Sequence, residues 1–116
     1  MGLGRSFSYA FKGLGYLLRT QRNFRIEVVF AALAIAAGIA SRLQQWEWGA
    51  LVLTIALVLI LEAVNTAIES AVTLASPSFD QLARSAKDVS AAAVLIAAIA
   101  SVAVGVILFA PRMLGR

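Results

Sequence analysis

The chain has 116 residues, of which 61% are hydrophobic and 14% charged, with a mean hydropathy of +0.89; a soluble domain averages roughly 45–50% apolar and about 25% charged. It carries ten Lys/Arg against six Asp/Glu, no histidine and no cysteine, which excludes disulfides, thiolate metal sites and any imidazole base. The composition describes one small membrane-embedded domain, and the cations flank apolar runs instead of forming the solvated basic face that a nucleic-acid binder needs.

In chain order, residues 5–20 come first. Phe7, Ala10, Phe11, Leu14, Leu17 and Leu18 follow the i, i+3, i+4, i+7 spacing of one helical face, with Arg5, Lys12, Tyr16 and Arg19 opposite. This pattern predicts an amphipathic helix lying in the membrane interface. Gly13-Leu14-Gly15 lacks the third glycine of a dinucleotide fingerprint, and there is no Walker A run.

Three apolar segments follow, predicted as spans over 26–43, 48–75 and 88–111. The first is alanine-rich and borrows Ile26 and Leu43 at its ends. It follows a long polar lead, so it reads as a retained span and not a cleaved signal. The third is uncharged from Val89 to Pro111 and is long enough to cross alone at about 1.5 Å per residue. Trp46 and Trp48 flank the start of the second, where interfacial aromatics belong.

Arg5, Lys12, Arg19, Arg22, Arg25, Arg84 and Lys87 fall on one side of three crossings, and Arg42, Arg112 and Arg116 on the other. The positive-inside rule makes the first side, with the N-terminus, cytoplasmic. In the loop SPSFDQLARSAKD, Ser78 and Gln81 have the spacing of a capping box that would start a short interfacial helix. Ala93, Ala97, Ser101 and Gly105 form a small-residue stripe that suits helix contact within one chain or between chains.

The second apolar run ends in EAVNTAIESAV. Seven residues make nearly two helical turns, so Glu62 and Glu69 share a face with Asn65 between them and Thr66 and Thr73 beside the row. Ionised carboxylates in hydrocarbon cost a few kcal/mol even on lenient scales, and they persist where they line a cavity, pair with a cation or bind metal. The competing structural account is a pair of headgroup-level acids neutralised by Arg22, Arg25 or Arg84. Carboxylate and amide oxygens suit Mg²⁺ sharing its shell with phosphates, and phosphoryl transfer needs such a metal, cations and a base. Glu27, Lys87 and Asp88 lie at the same end. Lys87 fits a phosphate clamp or a snorkelling lysine, and Asp88 fits a nucleotide site or the cap of the third helix. Proton relay, in a small transporter or assembly subunit, is the non-enzymatic reading of the same acids.

EAVNTAIESAV followed by LARSAKDVSAAAVL resembles the signature of the prokaryotic diacylglycerol kinase family, with the likeness running from about Phe7 to Pro111. FSYAFKGLGYLLRTQRNFR, the NTAIE form of the motif and SVAVGVILFAP are similar to its undecaprenol kinase branch. The resemblance implies an all-α integral membrane fold of three transmembrane helices and a surface helix, assembled as a homotrimer in the bacterial cell membrane. It implies ATP as cosubstrate, Mg²⁺ as cofactor and a membrane lipid alcohol as acceptor, undecaprenol first and diacylglycerol as the alternative. By position it makes Glu62 the base with Asn65 beside it, Glu69 and Glu27 the metal ligands, and Lys87 and Asp88 the nucleotide contacts, with Tyr16 and Arg5 or Arg19 as further candidates. Thr73 stands where the family pattern has aspartate, so that position brings no charge. Glu27 stands where the undecaprenol branch often has histidine and the diacylglycerol branch has glutamate.

Overall fold

The computed structural model describes residues 2–115; Arg116, counted above among the far-side cations, lies outside them. Four helices follow one another: α1 (Leu3–Thr20), α2 (Arg22–Ser41), α3 (Gln45–Ala75) and α4 (Gln81–Met113). The last three are long and apolar enough to cross a membrane. Without water in the bilayer core, backbone groups must be satisfied within each segment, and helices achieve this.

Gln21 alone joins α1 to α2, in extended conformation. Arg25 closes the corner by donating from one guanidinium nitrogen to the Leu18 and Arg19 carbonyls at 2.9 and 3.1 Å, which satisfies acceptors left over at the end of α1. Leu17 is buried at this corner, whereas Phe7, Phe11, Leu14 and Leu18 are exposed.

α2 ends at Arg42 in the left-handed region (φ 55°, ψ 57°). α3 starts with a capping box in which Gln44 and Glu47 exchange side-chain and backbone bonds. At this turn α2 and α3 approach closely at Gly38, where a Cβ would lie 2.9 Å from the Trp48 ring and 3.0 Å from Leu43. Only glycine lets the indole lie on the α2 backbone.

α4 is longer than the apolar run predicts. It begins at Gln81, and its cap is Asp80, whose Oδ1 accepts from the Leu82 and Ala83 amides at 2.9 and 3.1 Å. The expected Ser78 capping box, the separate short interfacial helix and the capping role for Asp88 are therefore corrected. Asp80, two residues after Ser78, has the carboxylate that bonds the first free amides. Asp88 lies two turns inside α4, where it pairs with Arg84 at 3.4 Å. Pro111 falls in the last turn of α4, where its missing N–H costs the helix one bond.

α3 packs most extensively on α4, and α2 packs next on α3. Ala97 (2% exposed), one member of the small-residue stripe, is buried along the inward face of α4. Gly105 departs from this pattern, since nothing lies within 4 Å of where its Cβ would be. Leu43, Leu51 and Leu108 form the small apolar core, with Trp48 and Phe109 against it. Most other large apolar side chains face outward, as expected where lipid replaces water.

One polar cluster ties the far ends together. Arg112 donates to both Glu47 oxygens at 2.6 and 2.8 Å, to the Ser41 carbonyl at 3.2 Å and to the Leu108 carbonyl at 2.6 Å. It thereby links the ends of α2, α3 and α4. A bidentate guanidinium–carboxylate pair fixes orientation as well as distance. Arg112→Met removes the counter-charge from Glu47, which is 6% exposed. It should lower the unfolding temperature in detergent more than the double variant Arg112→Met/Glu47→Gln, which removes the stranded charge; thermal unfolding of both proteins checks the ordering.

Candidate active site

The acids of the second span sit on one uninterrupted helix, so their shared face is set by α-helical geometry alone. Glu62 is 3% exposed, Asn65 9% and Thr66 7%; Glu69 and Thr73, nearer the α3 terminus, are exposed. Thr66 turns its hydroxyl back to the Glu62 carbonyl at 3.0 Å. Asn65 donates from Nδ2 to Glu69 Oε1 at 2.9 Å, so the amide reaches the outer acid, one turn along.

The row continues onto α4. Ser90, 7% exposed, donates to Asn65 Oδ1 at 2.6 Å and lies 3.0 Å from the Lys87 carbonyl. Hydroxyl, amide and carboxylate thus form one chain from α4 to the outer end of α3. Reasoning from sequence missed Ser90. Its only local signal is a position three residues after Lys87, and the contact spans 25 residues.

Glu27 approaches from α2. Its Oε1 is buried and has no hydrogen-bond partner, and its carboxylate is within electrostatic range of Glu62, as Glu62 is of Glu69. Below Glu27 a groove of about 460 Å³ runs between α2, α3 and α4 past Phe30, Val58, Ser101 and Gly105 to Leu51 and Phe109. No Lys or Arg lies within 4.0 Å of Glu27, Glu62 or Glu69 among the described residues. Arg25 is engaged with α1 and Arg84 with Asp88. Direct ion pairing with these arginines therefore does not account for the row.

Depth follows from helix rise. If the Glu47–Arg112 cluster marks one boundary, Glu62 lies about 22 Å along α3 and Glu69 about 33 Å, at ~1.5 Å per residue. A hydrocarbon core is about 30 Å thick. Glu62 is then inside it, Glu69 at its edge, and Asn65 between them.

The residues present fit a hard divalent ion as part of its shell. No three Asp/Glu converge into a complete protein cage among the described residues. However, Mg²⁺ is ordinarily held by one or two carboxylates and completed by water and phosphate. Glu27 has a free buried oxygen, and Asn65 bonds only one oxygen of Glu69. Lys87 is half-buried and Asp88 exposed, one helical turn or less before Ser90. Arg5, Tyr16 and Arg19 are exposed on α1, which packs chiefly on α2. Their side chains make no hydrogen bond to α3 or α4 among the described residues, so the fold of one chain does not bring them into the row.

Asn65→Leu deletes both amide bonds but leaves Ser90 its Lys87 carbonyl. Stability should fall by only about 1 kcal/mol, while any activity that depends on Glu69 orientation should be lost. Denaturation and turnover measured on one preparation check the split.

The profile of the prokaryotic diacylglycerol kinase family matches residues 8–109. A diacylglycerol kinase from Synechocystis sp. is 46% identical over 110 residues, which cover 94% of this chain and 63% of that protein. This chain therefore spans less than two thirds of that relative's length. The undecaprenol kinase of Bacillus subtilis is 35% identical over 109 residues, covering 94% of this chain and 89% of that protein. A diacylglycerol kinase from Escherichia coli is 33% identical over 98 residues, covering 84% and 80%. With its three apolar helices and its buried row of acid, amide and hydroxyl, the chain belongs to the prokaryotic diacylglycerol kinase family of lipid kinases.

Proposed function

We propose that this protein transfers the γ-phosphoryl group of ATP to the hydroxyl of a membrane lipid alcohol, in a bacterial cell membrane with its N-terminus cytoplasmic. The observation that carries this reading is the row running from buried Glu62 and Asn65 to exposed Glu69, hydrogen-bonded to Ser90 and with no cation within 4.0 Å among the described residues. Family membership sets aside the proton-linked transporter or assembly subunit as an account of the same acids.

In this reading Glu62 accepts the proton of the lipid hydroxyl as its oxygen attacks the γ-phosphorus, and ADP leaves. Glu62 suits the role by position, as the buried acid of the row on the lipid side of Glu69. Glu69 and Glu27 hold Mg²⁺, which when bound neutralises phosphate charge. Lys87 holds phosphate oxygens and Asp88 contacts the nucleotide, with Tyr16 and Arg5 or Arg19, which the fold of one chain leaves away from the row, as further candidates for the nucleotide. The exposed apolar side chains of α1 support a position for that helix in the interface. The groove below Glu27 takes the hydrocarbon chain of the acceptor, and the outward apolar faces are shared between lipid and the partners of a homotrimer.

Two acceptors fit. Undecaprenol is favoured by the motif forms in α1, α3 and α4. Diacylglycerol is favoured by Glu27 and by the higher identity to a relative bearing that name. Transfer from labelled ATP in mixed micelles, with the two lipids offered separately and in competition, distinguishes them by the product formed. Glu62→Gln should lower turnover by about 10²–10⁴-fold, the usual contribution of a general base. Glu69→Gln should abolish Mg²⁺-dependent transfer while the chain still inserts and assembles. Near-normal activity in both variants overturns the assignment.

A further inference from the structure

We infer that Ser90 is a positioning residue for phosphoryl transfer, setting the orientation of the Asn65 amide and through it the Glu69 carboxylate. The inference rests on the proposed kinase reading and adds a residue to which the sequence reading gave no role.

The argument is one of hydrogen-bond polarity. A carboxylate only accepts, so the amide group turned toward Glu69 must be the donor, Nδ2. Oδ1 then faces α4, where Ser90 Oγ is 2.6 Å away and must supply the proton. The Lys87 carbonyl, also an acceptor, lies 3.0 Å from the same hydroxyl. One Ser90 proton thus has two acceptors, and only its donation to Asn65 stabilises the amide orientation that serves Glu69. In the reverse orientation, Oδ1 would oppose the carboxylate and Nδ2 would donate to Ser90, whose proton would pass to Lys87. Both Ser90 and Asn65 are buried, at 7% and 9% exposure, so water is poorly placed to replace either bond.

The consequence reaches both ends of the site. Ser90 ties the α4 turn carrying Lys87 to the α3 turn carrying Glu69. A shift of α4 along α3 would therefore move the proposed phosphate clamp and the proposed metal ligand together. An alanine at 90 leaves Asn65 Oδ1 buried without a donor and frees the amide to turn.

The first test is spectroscopic. The chain has only two asparagines, Asn23 and Asn65, so selective ¹⁵N-asparagine labelling of the full-length protein in detergent gives two side-chain amide pairs. Asn65→Gln assigns them. In Ser90→Ala the Asn65 pair should broaden or shift while the Asn23 pair stays, and Ser90→Thr should restore it. The kinetic arm uses the same proteins. Ser90→Ala should lower kcat about tenfold, within the range for residues that orient metal ligands, without raising KM for the lipid, and Ser90→Thr should recover most of it. On an Asn65→Ala background, Ser90→Ala should cost nothing further. An unchanged Asn65 pair, or an undiminished loss on that background, overturns the role of Ser90. If Glu62→Gln, Glu69→Gln and Asn65→Ala are all near normal, the kinase site itself is misplaced, a result distinct from a silent Ser90→Ala beside inactive Glu62→Gln and Glu69→Gln.

Discussion

The antiparallel contact of α3 with α4 is the constraint on which the rest of this molecule depends. Its two polar clusters are cross-helix contacts, and they sit at opposite ends of the same pair. At one end Arg112 reaches Glu47, and at the other Ser90 reaches Asn65. A sliding of one helix by a single residue, about 1.5 Å, would spoil bidentate geometry at the first and hydrogen-bond distance at the second. Between them the packing face of α4 includes Ala97 and Leu108, the former small enough to let the backbones approach. Lipid offers apolar side chains much the same environment as a neighbouring helix, so close packing and buried hydrogen bonds have to specify the register.

This division explains the placement of chemistry in so small a chain. The far-side cluster is fully paired, drawing on a capping box, a guanidinium and two carbonyls. The near-side row is left incomplete. Glu27 keeps a buried oxygen without a partner, and no cation neutralises Glu62 or Glu69 within the described chain. Two sets of acids in one membrane domain therefore have opposite settings, one with its counter-charge and one without it among the described residues. Unpaired acids at membrane depth are costly, and the well-satisfied clasp supplies a rigid frame that can hold them.

The helices differ in how they are anchored. α1 is attached through one extended residue and the Arg25 cap, and its apolar side chains find few partners within the chain. α2 is held at its far end by Gly38 against Trp48 and at its near end carries Glu27 over the groove. α2, which carries Glu27 toward the acids of α3, packs less extensively on that helix than α4 does.

Much of this was legible in the sequence. Apolar run length and the absence of charge determine three spanning helices. The seven-residue interval between Glu62 and Glu69 places them on one face, because helix period depends only on the local backbone. The motif residues identify the family. Tertiary structure alone decided which helix partners the row. Nothing local in KDVSA marks Ser90 as the donor to an amide 25 positions earlier, nor Arg112 as the partner of Glu47. It also decided that Ala97 of the small-residue stripe is buried inside the chain while Gly105 is not covered, that Asp80 rather than Ser78 or Asp88 caps α4, and that Asn65 turns toward Glu69. Periodicity and composition are properties of neighbours along the chain, whereas the pairing of buried polar groups depends on the register of helices that meet only when folded.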